Sequence, residues 1–466
     1  MINLTFRDKQ LNILSQDKDQ SNKTLFSFTK KVKNINPAFF YESNRPHYKG
    51  KSFFWKSPDD GLVLVGLGIT RSFINNSAEE RFGQLERVWK KQLGSAMIDN
   101  PFETPGTGPL LFGGFSFDPY SIKEELWQPF GDALFYLPKF MLTALNGDCF
   151  MTVNLLENKE HEEAARLHAE KEIEELISHP MNENEHHASS SLLYKEEHSV
   201  GEWLTSVRDV VNLIKETKVE KVVLSRKMRL VFSNPPAPEE VLQNLNSQQP
   251  NSFIFAIESG ERCFVGASPE RLVKKSGNTI FSASLAGSIG RNKDPEEDLK
   301  LGQTLITDEK NLHEHALVVE MIKNALAPHC ISMEVPKHPE LLKTPYIQHL
   351  YTPVKGTAKS STSIFQLVEK LHPTPALGGV PTDKALELIR EKEMMDRGLY
   401  AGPIGWTDFR GNGEFIVAIR SGLMKQDEAY LYAGCGLVAD SNPEEELKET
   451  SMKFEPMLLA MEGTEE

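Results

Sequence analysis

Residues 413–436, GEFIVAIRSGLMKQDEAYLYAGCG, carry the pattern that decides the fold. A Gly411-Asn412-Gly413 turn opens a strand read over 413–424, and alternation along it puts Ile416, Ala418 and Arg420 on one face. Apolar alternation resumes at 429–433, which makes that stretch the hairpin partner. It ends in Gly434-Cys435-Gly436, where missing side chains let backbone N–H groups approach an anion closely. Hairpins of this kind build antiparallel sheets and argue against a doubly wound parallel sheet.

Downstream, Ser441-Asn442-Pro443 reads as a cap with proline at the first helical position. On the helix that follows, Glu446, Glu449 and Lys453 share a face at i, i+3 and i+7, which taken alone is an exposed charge stripe. Upstream, 202–218 sets Trp203, Val207, Val210, Val211 and Ile214 at helical spacing. The next stretch, 220–232, reads as a strand, so Lys221 sits at a helix-to-strand junction. Two further strands, 253–257 and 264–266, flank a turn at 259–262, and Ser268-Pro269-Glu270-Arg271 closes the second. Residues 284–288, SLAGS, run into a small-residue turn, and the prolines and glycines of LHPTPALGGVP at 371–381 make a shaped loop.

The stretch 307–321, TDEKNLHEHALVVEM, reads as a helix in which Glu314 precedes Leu317, Val318 and Met321 by three, four and seven residues. That spacing places a carboxylate on the buried face, where it must change protonation, pair with a cation or bind a metal. Three readings are open: a zinc cluster with His313 and His315, a salt-bridged acid, or a ligand for a hard cation. Adjacent helical residues point about 100° apart, so the two histidines diverge and oppose the zinc reading.

Before residue 190 the signals are weaker. Strands are read at 61–66 and 150–156, and an exposed Glu- and Ala-rich helix at 162–177. The Gly/Pro-rich run at 104–119 is followed by phenylalanines rather than by a helix, so strand and tight turn replace a phosphate loop. The polar stretch 179–191 reads as a long loop, with His186 and His187 as solvated loop residues. It divides the chain into an N-terminal half, 1–190, and a catalytic region, 191–466. With 466 residues, 39% of them hydrophobic, the chain supports a large core. A net charge of −14 argues against a nucleic-acid partner and requires a local positive site for any anionic substrate. Four scattered cysteines, no leader pattern at the start and no long apolar window imply reduced thiols, no membrane partner and a cytoplasmic location.

Taken in order, several motifs resemble the chorismate-utilising enzymes, and among them the isochorismate synthases. They are KVVLSR (221–226), ASPERL (267–272), LAGS (285–288), EKNLHEH (309–315), HPTPALGG (372–379), DRGLYAGPIGW (396–406), VAIRSG (417–422), AGCGLV (433–438) and EELKETSMK (445–453). FGGFSFDP at 112–119 extends the similarity into the N-terminal half. The resemblance implies an α/β fold of the α+β type, with two interleaved halves, packed antiparallel sheets and outer helices. It implies the reversible conversion of chorismate to isochorismate, with water added at C2 as the C4 hydroxyl leaves. Lys221 matches the family's water-activating lysine and Glu270 the acid that protonates the departing hydroxyl. Glu314 and Glu449 match the carboxylates that bind Mg2+. Arg420, Lys453, Gly287, Gly434 and Gly436 match positions that clasp the substrate carboxylates, and Ser288, His349, Ala376 and Leu377 complete the implied substrate site. The one departure noted is Asn311, where many relatives have Asp. The length of the N-terminal half resembles the menaquinone-pathway enzymes more than the siderophore type. Salicylate synthase and a catalytically silent chorismate-binding protein are the alternatives, and a monomer or weak homodimer is the expected assembly.

Overall fold

The computed structural model describes residues 23–59, 61–178, 190–343 and 347–462, so His186 and His187 lie outside the described residues. Its strands form one hydrogen-bonded network of 21, antiparallel except where Thr24–Val32 runs parallel to Met97–Asp99. The network has two arms that diverge from the long strand Ala133–Leu145. Its second half pairs with Asp148–Glu157, while its first half pairs with Leu110–Phe115. One arm continues through Val63–Asn75, Ser52–Lys56, Phe253–Ser259, Arg262–Ser268, Ser421–Lys425 and Glu428–Leu437 to Lys221–Phe232. The other runs through Pro403–Asp408, Gly413–Val417, Arg271–Ser276 and Thr279–Gly290 to Ile347–Ala358. The two packed sheets expected from the resemblance are thus arms of a single sheet. In each arm, strands from before residues 179–189 are joined edge to edge to strands from after them, at Ser52–Lys56 with Phe253–Ser259 and at Leu110–Phe115 with Pro403–Asp408.

Aromatic side chains fill the space between the arms. Phe53 stacks on Phe112 at 4.2 Å between centroids, and Phe115, Phe135, Phe365 and Phe415 pack edge to face or tilted around them. Helices cover the outside: Glu309–Leu326 lies on Thr279–Gly290, Pro443–Glu462 on Glu428–Leu437, and Val200–Glu216 on Lys221–Phe232. The last of these buries Trp203, Val207, Val210, Val211 and Ile214, the stripe its spacing predicts. No helix among the described residues is long and apolar enough to cross a membrane.

Local details differ from the sequence reading in four places. The strand read over 413–424 is two strands, Gly413–Val417 and Ser421–Lys425, because Arg420 adopts φ 52° and turns the chain between them. The run 284–288 is a bulge inside Thr279–Gly290, where the register slips between Leu285 and Ser288 and Gly287 takes φ 82°. Helix Glu162–Ser178 is not wholly exposed, since Ala165, Ala169, Ile173 and Leu176 form a buried stripe. In helix Glu309–Leu326 the buried face is His315, Val318, Ile322 and Leu326, and Leu317 is 39% exposed. Glu314 therefore lies one residue off that face, at its border.

A buried ion cluster links the segments before and after residues 179–189. The Arg45 guanidinium lies 2.8 Å from Glu239 and 2.9 Å from Glu258, with all three side chains at most 7% exposed. Glu258 also accepts hydrogen bonds from the Ser52 hydroxyl at 2.7 Å and the Gly50 N–H at 3.0 Å. Removing the one cation would leave two carboxylates buried together. Arg45→Ala is expected to lower unfolding free energy by ~3–5 kcal/mol in urea titrations; a loss below ~1 kcal/mol, the worth of an exposed pair, would contradict the account.

Candidate active site

The Lys221–Phe232 strand is hydrogen-bonded along one edge to Glu428–Leu437, with Val223 opposite Gly436 and Ser225 opposite Gly434. Both glycines are required by close approach. A Cβ at Gly436 would lie 2.6 Å from Lys221 Cε, and one at Gly434 would lie 2.5 Å from Ser225 Oγ. The Lys221 side chain thus lies across Gly436. Burial pushes its ammonium pKa down, and Lys453 pushes it the same way, while Glu314, Glu449 and Glu270 oppose the shift.

Glu270 occupies the turn between Arg262–Ser268 and Arg271–Ser276. Its N–H donates to Ser268 Oγ at 3.2 Å, that hydroxyl donates to Val417 O at 2.6 Å, and the Val417 N–H donates to Glu270 O at 3.1 Å. The turn is pinned on both sides. Burial raises the Glu270 carboxyl to about 7, against the opposing pull of Lys221 and Lys453. Desolvation therefore moves the acid and the lysine toward their uncharged forms.

Positive groups and polar caps surround this pair. Arg420, turned out of the strand by its left-handed backbone, reaches the same cavity, as do Ser288 and His349, which share a 2.7 Å hydrogen bond. Burial and the neighbouring Arg420 push His349 down to about 4, so its imidazole is neutral near pH 7. The bulge at Gly287 brings backbone to the cavity beside Asn311, and a Cβ there would meet Leu350 at 3.0 Å and Asn311 Oδ1 at 3.2 Å.

Two helices supply carboxylates. Glu314 comes from Glu309–Leu326, and Glu449 comes from Pro443–Glu462, which Asn442 caps by accepting from the N–H groups of Glu444 and Glu445. Lys453 bonds Glu449 at 2.7 Å and Gly434 O at 2.8 Å. The stripe of Glu446, Glu449 and Lys453 is thus not a solvated face. One turn before Glu449, burial raises the Glu446 carboxyl, and its buried Oε2 accepts no hydrogen bond. Among the described residues no three His, Cys, Asp or Glu side chains converge closely enough to hold a metal. His315 is already satisfied: Nδ1–H donates to Ala286 O at 3.0 Å and Nε2 accepts from Thr352 Oγ1 at 2.7 Å. The zinc reading therefore has no ligand set. Two carboxylates bordering a polar cavity suit a hard cation that keeps waters and takes a substrate oxygen.

Lys221, Glu270, Gly287, Ser288, Glu314, His349, Ala376, Leu377, Arg420, Gly434, Gly436, Glu449 and Lys453 all line one cavity of about 840 Å³. Sequence reasoning missed four neighbours, Ser225, Glu393, Arg397 and Tyr400. Ser225, Arg397 and Tyr400 line the cavity, and Glu393 is the buried ion-pair partner of Arg397. Ser225 stands in KVVLSR and the other two in DRGLYAGPIGW, but a motif alone does not say which side chain faces inward. The N-terminal motif FGGFSFDP acts from behind. Phe117 O accepts from His372 Nε2–H at 2.8 Å, the Phe117 N–H donates to Gly398 O at 2.8 Å, and Asp118 binds Arg390 at 2.5 and 3.1 Å. It supports the loop that carries Ala376 and Leu377.

The sequence matches the family of chorismate binding enzymes over residues 10–462. It is 42% identical over 463 residues to the isochorismate synthase MenF of Bacillus subtilis, covering 98% of each chain. It is 36% identical over 412 residues to the salicylate biosynthesis isochorismate synthase of Pseudomonas aeruginosa, covering 88% of this chain and 84% of that one. In fold it resembles the menaquinone-specific isochorismate synthase MenF of Escherichia coli, with a TM-score of 0.77 at 23% identity over 95% of this chain and 96% of that one. A structure of DhbC from Bacillus anthracis, described as a 2,3-dihydroxybenzoate-specific isochorismate synthase, aligns with a TM-score of 0.70 at 29% identity over 90% and 98% of the two chains. With a whole-chain family match and a cavity lined by every motif of the series, the chain belongs to the chorismate-binding enzymes, on their isochorismate synthase branch.

Proposed function

We propose that the protein converts chorismate to isochorismate reversibly, with magnesium, and supplies menaquinone biosynthesis. The observation that carries this reading is the pairing of Lys221 with Glu270 in one cavity, each displaced by burial toward its neutral form. A neutral amine can take a proton from water, and a protonated carboxyl can give one to a departing hydroxyl. In bulk water the same two groups would be an ammonium and a carboxylate, unfit for either task. The menaquinone assignment is supported by the 42% identity that spans 98% of both chains with Bacillus subtilis MenF.

In this mechanism Arg420 and Lys453, with backbone N–H groups near Gly287, Gly434 and Gly436, clasp the two carboxylates of chorismate. Ser288 and the neutral His349 offer uncharged hydrogen bonds, and Ala376 and Leu377 form an apolar wall. Glu314 and Glu449 would hold magnesium, which would supply positive charge for the substrate's ring carboxylate. Lys221 removes a proton from the water that attacks C2, and Glu270 delivers its proton to the oxygen leaving C4. The turnover leaves Lys221 charged and Glu270 ionised, and a proton passing back restores the neutral pair. In the reverse direction the two exchange roles.

Purified protein given chorismate and magnesium is expected to form isochorismate without pyruvate. Stoichiometric pyruvate with salicylate would assign it to the salicylate synthases, and tight binding without turnover over hours would make it a silent binder.

The metal assignment is tested by Glu314→Ala, expected to weaken magnesium-dependent turnover by orders of magnitude. Glu444→Ala, on the exposed side of the last helix and paired with Arg208 at the surface, is expected to be nearly silent. Equal effects at both positions would remove the assignment.

Protonation gives a third test. Activity needs Lys221 neutral and Glu270 protonated, and the two titrate as a coupled pair. Below about pH 7 both are protonated, so kcat is expected to rise with pH to about 7, hold level, and fall once no proton remains on the pair. Lys221→Ala is expected to keep the fold and chorismate binding and to lower kcat by ~10²–10⁴. It should also lose the rising limb, because a protonated Glu270 is then the only requirement. A variant with wild-type kcat and an unchanged profile would move the water-activating role elsewhere.

A further inference from the structure

The edge of the Lys221–Phe232 strand that faces away from Glu428–Leu437 has a gap. Lys221 and Val222 pair with the short strand Gly379–Val380, and Met228–Phe232 pairs with Leu192–Glu197. Between them, the Val223 C=O and the Ser225 N–H have no strand partner on that edge. Unpaired in a buried position, each would be costly.

One backbone carbonyl and two side chains fill the gap. The Val223 N–H donates to Gly378 O at 2.9 Å, Arg397 Nη2 donates to Val223 O at 2.8 Å, and the Ser225 N–H donates to Glu393 Oε1 at 2.7 Å. Arg397 Nη1 also donates to Leu377 O at 3.1 Å, on the loop that forms the cavity's apolar wall. Arg397 and Glu393 are locked together. Nε donates to Glu393 Oε2 at 2.8 Å, Nη2 also bonds Oε1, and the side chains are 3% and 2% exposed. The guanidinium stacks over the Phe117 ring at 4.1 Å.

The backbone between the two residues leaves the helix. Helix Thr382–Lys392 stops just before Glu393, and the exposed Met394 takes φ 54°.

We infer that the Glu393–Arg397 pair is a positioning device for Lys221. It stands in for a missing strand and fixes the lysine-bearing backbone against the Ala376–Leu377 loop, so the amine meets the substrate at a set distance. This rests on the reading of Lys221 as the water-activating base. Neither residue exchanges a proton with substrate in this account. Their effect on rate passes through Lys221, and a misplacement of about 1 Å at such a group can cost about 10²-fold.

Arg397→Lys tests the idea, because a single ammonium cannot bridge Glu393, Val223 O and Leu377 O together. Folded protein, checked by circular dichroism, is expected to keep KM for chorismate within a few-fold while kcat falls about 10²-fold. In a Lys221→Ala background the same substitution is expected to cost less than about twofold more, since the group it positions is already gone. Glu393→Gln keeps the side-chain shape but removes the charge; it should show the same dependence on background and serves if Arg397→Lys does not fold. Wild-type kcat in both single variants, with Lys221→Ala inactive, would overturn the positioning role alone. Equal losses in both backgrounds would also overturn it, by showing an effect independent of Lys221. A fully active Lys221→Ala would overturn this inference together with the mechanism on which it rests.

Discussion

The site depends on one electrostatic constraint: an acid and an amine are held in the same poorly solvated cavity. In water, Lys221 and Glu270 would separate into ions. Here burial lowers the lysine and raises the acid to about 7, so the uncharged pair is less disfavoured than in water. That constraint accounts for other features of the fold. Gly436 has no side chain because Lys221 occupies the space, and the Glu270 turn is tied through Ser268 to Val417. The cations Arg420 and Lys453 stand nearby on separate elements, giving a net acidic protein a local place for a dianion.

The joining of early to late strands makes such a cavity possible. Neither stretch of chain completes a sheet alone: Phe53–Lys56 needs Ile254–Ile257, and Leu110–Gly114 needs Ile404–Asp408. The N-terminal motif therefore supports the cavity wall without lining the cavity. It holds His372 through a carbonyl and Arg390 through Asp118. Burial and the nearby Arg81 push His372 down to about 3, which keeps that support neutral.

Much of this was legible in the sequence because motifs report residue types at positions where chemistry limits the choice. The antiparallel hairpin and the helix before Lys221 follow from period, while the cavity-facing set from Lys221 to Lys453 came from the family resemblance. Where the reading went astray, a single backbone conformation intervened. Alternation across 413–424 could not reveal that Arg420 breaks the strand, and apolar spacing assigned Leu317 rather than His315 to the inner face. Glu393 and Arg397 were invisible for a different reason. Their partners are backbone groups far away in the chain, so no periodicity marks them.

The way the Lys221 strand is finished at its outer edge also bears on how the protein behaves in a crowded solution. A strand edge with free N–H and C=O groups is a template on which another chain can add and begin to associate. At Val223 and Ser225 that edge is closed by a buried ion pair, which has no extended backbone to copy and cannot be displaced by an incoming strand without stranding two charges. The same two side chains that fix the Lys221 strand therefore also seal the gap between the two short strands that cover the rest of this edge.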